Sequence, residues 1–284
     1  MDNKSYKFFS FNSLIIIDAI PESDYQTARR LNDDLVHIIK PAGLQHIKIR
    51  DRLHFMEVML DVIAETYHKR LSPILHFEGH GSEHDYILPN EEKVAWSVIA
   101  DILRVINKMI SNTLVTFIAC CHGYNFIKSI SILKFTPACY TIAPHRVIKG
   151  YEIEQEMSKF YSSLFESNDI TVAKSTLNTD IMGFLDADEL FITSVIKYFK
   201  QKTKGTGWTL RKESLTSEAI INIKSWDNLT DKEKKRNLKL IRASLKEMKS
   251  MGSRERVYDE YSMKFLGYIR PEAKQQVFKI LSVQ

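Results

Sequence analysis

The chain has 284 residues, of which 44% are hydrophobic, with three cysteines and a formal net charge of +5. That length supports one large domain or one domain with an appendage, and three cysteines, two of them adjacent, exclude the disulfide framework of a small secreted domain. No apolar run approaches the roughly 20 residues of a membrane-spanning helix, and Met1-Asp2-Asn3-Lys4-Ser5 lacks the pattern of a secretory leader, so a cytoplasmic protein without a membrane partner is expected.

In chain order, Leu14-Ile15-Ile16-Ile17 is a continuous apolar run ending at Asp18, which predicts a strand covered on both faces. Leu31, Leu35 and Ile38 recur at helical spacing over 25–39, and Pro41-Ala42-Gly43 stops that helix before a second strand at 46–49. Over 53–68, Met56, Leu60, Ile63 and Tyr67 fall on one predicted helix face. A strand follows at Pro73-Ile74-Leu75-His76-Phe77. The segment 82–92 reads as a long loop, and 94–110 repeats the helical pattern with Ile99, Leu103, Ile106 and Ile110. Another strand, Leu114-Val115-Thr116-Phe117-Ile118, leads to Cys120-Cys121. This βαβ alternation predicts a mainly parallel sheet flanked by helices. Residues 125–133 read as helix, 139–143 as strand, and 153–165 as a helix carrying Met157, Phe160, Tyr161 and Leu164.

Composition shifts to Lys, Thr and Gly over 200–208, so the α/β domain is expected to span 1–200, with a basic, mostly helical extension over 201–284. Thr230-Asp231-Lys232-Glu233 fits a capping box, followed by Leu238, Ile241, Leu245 and Met248 at helical spacing. Its opposite face is largely Lys and Arg, a solvated surface or, as the weaker alternative, a face for nucleic acid.

The chemistry concentrates at His80-Gly81 and Cys120-Cys121-His122-Gly123, which close two of the strand runs. Adjacent strands of a parallel sheet lie roughly 4.8 Å apart, and active sites of open α/β sheets form at the carboxyl ends of the strands. An imidazole and a thiol brought together there form the minimal set of a thiol protease: the thiolate attacks, and the imidazole manages the protons. His80 and Cys121 are the candidate catalytic residues, and the N–H groups of Gly81 and Cys121 the candidate oxyanion hole. Strand alternation sends Cys120 to the core if Cys121 faces the cleft.

Leu75-His76-Phe77-Glu78-Gly79-His80-Gly81 resembles the His-Gly motif of caspase-like peptidases, particularly the bacterial CHAT branch. Phe117-Ile118-Ala119-Cys120-Cys121-His122-Gly123 similarly resembles the Ala-Cys-x-Gly block of caspases and the Cys-Cys-His block of metacaspases. The resemblance covers residues 10–200. It implies a three-layer caspase-like fold and a cysteine endopeptidase of regulated, limited proteolysis, as in antiviral defence or cell death. It needs no cofactor. A protein or peptide is the expected substrate, and an activating protein or a small signalling ligand would open the groove. Ala119 departs from the family pattern, so substrate preference is not carried over with the motif.

Around the dyad, Asp18, with Glu22 and Asp24, could receive a basic P1 side chain, and Arg146 an acidic one; Asp18 could equally cap the turn after its strand. His76, His80, His84, Cys120, Cys121 and His122 include ligand types for zinc, but their spacing does not form a ligand set, and no metal is expected. No phosphate-binding, dinucleotide-binding or serine-elbow motif is present in the sequence. Two other classes remain as alternatives: a catalytically idle caspase-like adaptor, and a nucleic-acid-binding protein acting through the C-terminal helices.

Overall fold

A computed structural model describes residues 11–39, 43–202, 205–223, 226–247 and 251–282. The chain divides into two compact units, the first running to Ala187 and the second from Asp188.

The first unit is built on strands β1 (Ser13–Asp18), β2 (Leu44–Lys48), β3 (Pro73–Glu78), β7 (Val115–Ala119), β8 (Tyr140–Pro144) and β9 (Met182–Asp186), in the order β2-β1-β3-β7-β8-β9. All neighbours pair in parallel except β9, which runs antiparallel to β8. Every residue of β1 and β3 is buried. Alternation divides β1 between two cores. Ile15 and Ile17 pack with α2 (Arg52–Lys69) and α3 (Trp96–Met109), whereas Leu14 and Ile16 pack with α1 (Thr27–Leu35) and α4 (Gly150–Ser167). Each fully buried Leu or Ile contributes about 1.5–3 kcal/mol, which explains why an uninterrupted apolar run sits in the middle of the sheet. A short helix α5 (Ile170–Ser175) joins the α1/α4 layer through Ile170 and Ala173. The result is α/β, with a mostly parallel six-stranded sheet between helical layers.

Three local expectations are corrected. The buried stripe of α2 is Phe55, Val58, Met59, Val62 and Thr66, while Leu60 and Tyr67 of the expected face are exposed. The helix is rotated because Phe55 docks against the rings of Phe77 and Tyr86, at 6.5 and 6.0 Å. The expected loop 82–92 instead contains β5 (Asp85–Ile87), which with β4 (His80–Gly81) and β6 (Lys93–Ala95) forms a second, antiparallel sheet. Residues 123–129, where a helix was expected from 125, form a 3-10 helix. The helix stop at Pro41 and Ala42 lies outside the described residues, as does Met248.

The second unit is helical: α6 (Ala187–Lys202), α7 (Gly205–Asn222), α8 (Asp231–Glu247), α9 (Met251–Phe265) and α10 (Pro271–Ser282). Phe191 of α6 packs on Tyr258 (5.3 Å) and Phe199 on Phe278 (6.1 Å). These contacts tie α6 to the helical unit rather than to the domain expected to end at 200. The capping box at the start of α8 forms: Thr230 N–H donates to Glu233 Oε2 (2.8 Å), and Glu233 N–H donates to Thr230 Oγ1 (3.4 Å).

Candidate active site

Strands β3 and β7 are neighbours, with Glu78 opposite Ala119 in the ladder. The segments that follow carry His80 and Cys121, so both candidate residues leave the same edge of the sheet. They line one cavity of about 370 Å³, together with Asp24, Thr27, Glu78 and Ala119.

Gly81 fixes how closely the two segments approach. A Cβ at that position would lie 2.4 Å from the Cys121 carbonyl oxygen and 2.7 Å from Cys120 Sγ. Only a residue without a side chain allows this contact. Ser82 N–H donates to Asp85 O (2.8 Å) and Gly81 stands opposite Tyr86. The alternation of an antiparallel ladder then turns the Gly81 N–H away from β5.

β7 ends at Ala119, so both cysteines lie beyond the strand, and both are among the residues around the cavity; they differ in burial. Cys120 is 2% exposed within the α2/α3 core, and burial, reinforced by the charges of Cys121 and Glu78, pushes its thiol well above the ordinary range. Cys121 is partly exposed and faces the cavity. Its Sγ lies 3.5 Å from the Ile148 N–H and 3.6 Å from the Ile148 carbonyl, so one backbone unit can donate to the sulfur or accept from it. The chain then turns through His122 at φ 57°, a left-handed conformation uncommon outside glycine. This turn is held by His122 N–H to Arg146 O (3.3 Å) and Gly123 N–H to Cys120 O (3.1 Å).

His80 is half-exposed, and its Nε2 lies 2.7 Å from Asp24 Oδ2. That hydrogen bond, with a smaller one from Ser23, holds the Asp24 carboxyl below its ordinary value of 3.8. The ring is thus held through Nε2. Asp24 appeared in the sequence only as one of several acids after β1; its pairing with His80 joins segments far apart in the chain.

The remaining site residues divide. Ala119 is 4% exposed and lines the cavity. Asp18, expected as a P1 residue, is instead consumed by structure. Its carboxylate accepts the Ile20 N–H (2.9 Å) and meets His46 Nε2 (2.9 Å) and Lys48 Nζ (3.3 Å) at 1% exposure. The alternative reading of it as a turn cap is the one observed. Arg146 is likewise diverted: its guanidinium donates to Glu152 Oε1 (3.1 Å) and to Val147 O (2.8 Å), and it is not among the residues lining the cavity.

His76, fully buried, places Nδ1 2.8 Å from Tyr161 Oη and Nε2 3.0 Å from Glu78 Oε1. Among the described residues no three His, Cys, Asp or Glu side chains are grouped so as to hold a metal, and no helix is long and apolar enough to cross a membrane. Compared with known families and with curated proteins, the chain matches no family model and no curated sequence.

Proposed function

We propose that the chain is a cysteine endopeptidase with a caspase-like α/β domain, acting through Cys121 and His80. One observation carries the reading: a partly exposed thiol and an imidazole already engaged by a carboxylate line one cavity, at the ends of adjacent parallel strands. The motifs around both residues, and the parallel order with its small antiparallel sheet after His80, support the same reading.

In the proposed reaction Cys121 transfers its proton to His80, and the sulfur attacks the scissile carbonyl carbon. The oxyanion takes hydrogen bonds from the N–H groups of Gly81 and Cys121. His80 returns the proton to the leaving amine as the C–N bond breaks, and water then hydrolyses the thioester. Asp24 acts as a positioning residue that fixes the tautomer and plane of His80. Limited proteolysis under the control of an activating protein or signalling ligand is the role that this class of enzyme suggests.

The test combines fluorogenic peptides bearing Arg, Lys, Asp or Leu at P1 with a covalent thiol probe, on the wild type and on Cys121→Ala. Cleavage and labelling that both vanish in the variant support the proposal. Cleavage that survives in Cys121→Ala rejects Cys121 as nucleophile.

A further inference from the structure

The floor of the cavity holds a buried acid that the proposed reaction does not use. Glu78 ends β3, is 1% exposed, stands opposite Ala119, and precedes His80 by two residues, as Ala119 precedes Cys121. It therefore lines the cavity between the two strand ends that lead to His80 and Cys121. Its partners are hydrogen-bond donors that need carry no charge. Thr27 Oγ1 donates to Oε2 (2.7 Å), and His76 Nε2 lies 3.0 Å from Oε1.

The network runs from Glu78 through His76 to Tyr161. Burial, and then the charge of Glu78, push the Tyr161 phenol well above 10, so it remains a donor. Tyr161 O–H can donate to His76 Nδ1, and His76 Nε2–H to Glu78, with neither ring nitrogen needing a second proton. Each carboxylate oxygen keeps a further acceptor position. The cavity lining contains the acids Glu78 and Asp24 and no lysine or arginine, while Arg146, the candidate for an acidic P1, is engaged with Glu152.

Resting on the peptidase reading above, we infer that this cavity is the P1 subsite, that it takes a cationic side chain, lysine or arginine, and that Glu78 is the residue that selects it. Thr27 and the His76–Tyr161 pair act as positioning residues that hold the carboxylate toward the cavity. A P1 ammonium or guanidinium would bring a cation to an acid whose neighbours in the cavity lining include no lysine or arginine, and a charge-assisted hydrogen bond is the strong kind.

The experiment replaces P1 arginine by citrulline, which keeps the shape and removes the charge. Wild-type protein is expected to cleave the arginine peptide roughly ten- to a hundredfold faster in kcat/KM. Glu78→Gln should bring the two substrates to within about threefold, with the larger loss falling on arginine. Because Glu78 is buried and that variant could fail to fold, the same peptide pair is also measured for binding to the full-length Cys121→Ala protein by fluorescence anisotropy. Arginine bound more tightly than citrulline supports the subsite independently of turnover. Equal binding, or wild-type cleavage that favours aspartate or leucine at P1, overturns the inference and leaves the peptidase standing. No cleavage of any peptide, no probe on Cys121 and no binding of either peptide takes down both.

Discussion

Asp18 and Glu78 are partners across adjacent strands, at the same level of the sheet and equally buried, yet their surroundings are opposite. Asp18 faces the β2 side, where Lys48 and His46 meet its charge. Glu78 meets a hydroxyl from α1 and an imidazole from its own strand, and lines a cavity. A buried carboxylate is informative only through its partners: Asp18 has a lysine beside it and is a structural joint, whereas Glu78 has no lysine or arginine beside it among the described residues and borders an open volume, which is what the proposed cation subsite rests on. The general expectation is that changes on the cavity side alter turnover and changes on the β2 side alter stability.

The strongest way to break that division is at sulfur. Cys121→Ala should lower peptide hydrolysis by roughly 10⁴-fold or more, with unfolding in urea close to wild type because Cys121 is only partly buried. Cys120→Ala should do the reverse, retaining hydrolysis while losing about 1 kcal/mol from its vacated core position. If the two phenotypes are exchanged, the roles of the adjacent thiols are exchanged.

Gly81→Ala comes next. The added methyl meets backbone at Cys121 and the buried Cys120 sulfur, so about 1–3 kcal/mol of destabilisation is expected from the clash, together with loss of turnover as the two segments part. A thermal melt beside an assay separates these effects, and an unchanged melt would show that the segments are less closely packed. Asp24→Asn should be milder, lowering kcat roughly 10- to 100-fold with KM nearly constant, since Asp24 orients the general acid-base without bonding substrate. A KM effect of the same size would make Asp24 a substrate-binding residue instead.

Much of this arrangement is legible in the sequence because it is carried by local pattern. The run Leu14 to Ile17 fits the interior of a sheet, and the glycines around His80 and after His122 follow closely on the ends of β3 and β7. What is hidden depends on contacts distant in sequence. Strands β5 and β6 are three residues each, too short for alternation to register. The face of α2 is decided by where Phe77 and Tyr86 lie, because two overlapping apolar stripes fit helical spacing equally well. The different roles of Asp18 and Asp24 are hidden for the same reason. Both are acids after an apolar run, and only the tertiary placement of Lys48 and His80 assigns one to structure and the other to the imidazole.

The smallest effect sharpens the comparison most, because it tests the structural member of the pair. Asp18→Asn keeps the shape and an oxygen for the Ile20 N–H, and Lys48 Nζ still has the Ile20 carbonyl (2.6 Å) and Gln26 Oε1 (3.2 Å). The loss should therefore be about 1–2 kcal/mol at neutral pH, with peptide turnover unchanged. Burial by itself would raise the Asp18 pKa, but the hydrogen bonds of His46 and Ile20 and the charge of Lys48 together outweigh it and hold the carboxyl below 3.8. A carboxyl lowered on folding stabilises the native state fully above its unfolded value, and that contribution disappears as pH falls through the lower folded value. Urea unfolding of wild type and variant should accordingly differ by a constant amount above about pH 5 and converge only below the ordinary aspartate range. A gap that closes already at or above the ordinary aspartate range would show that the folded carboxyl is not held below its unfolded value.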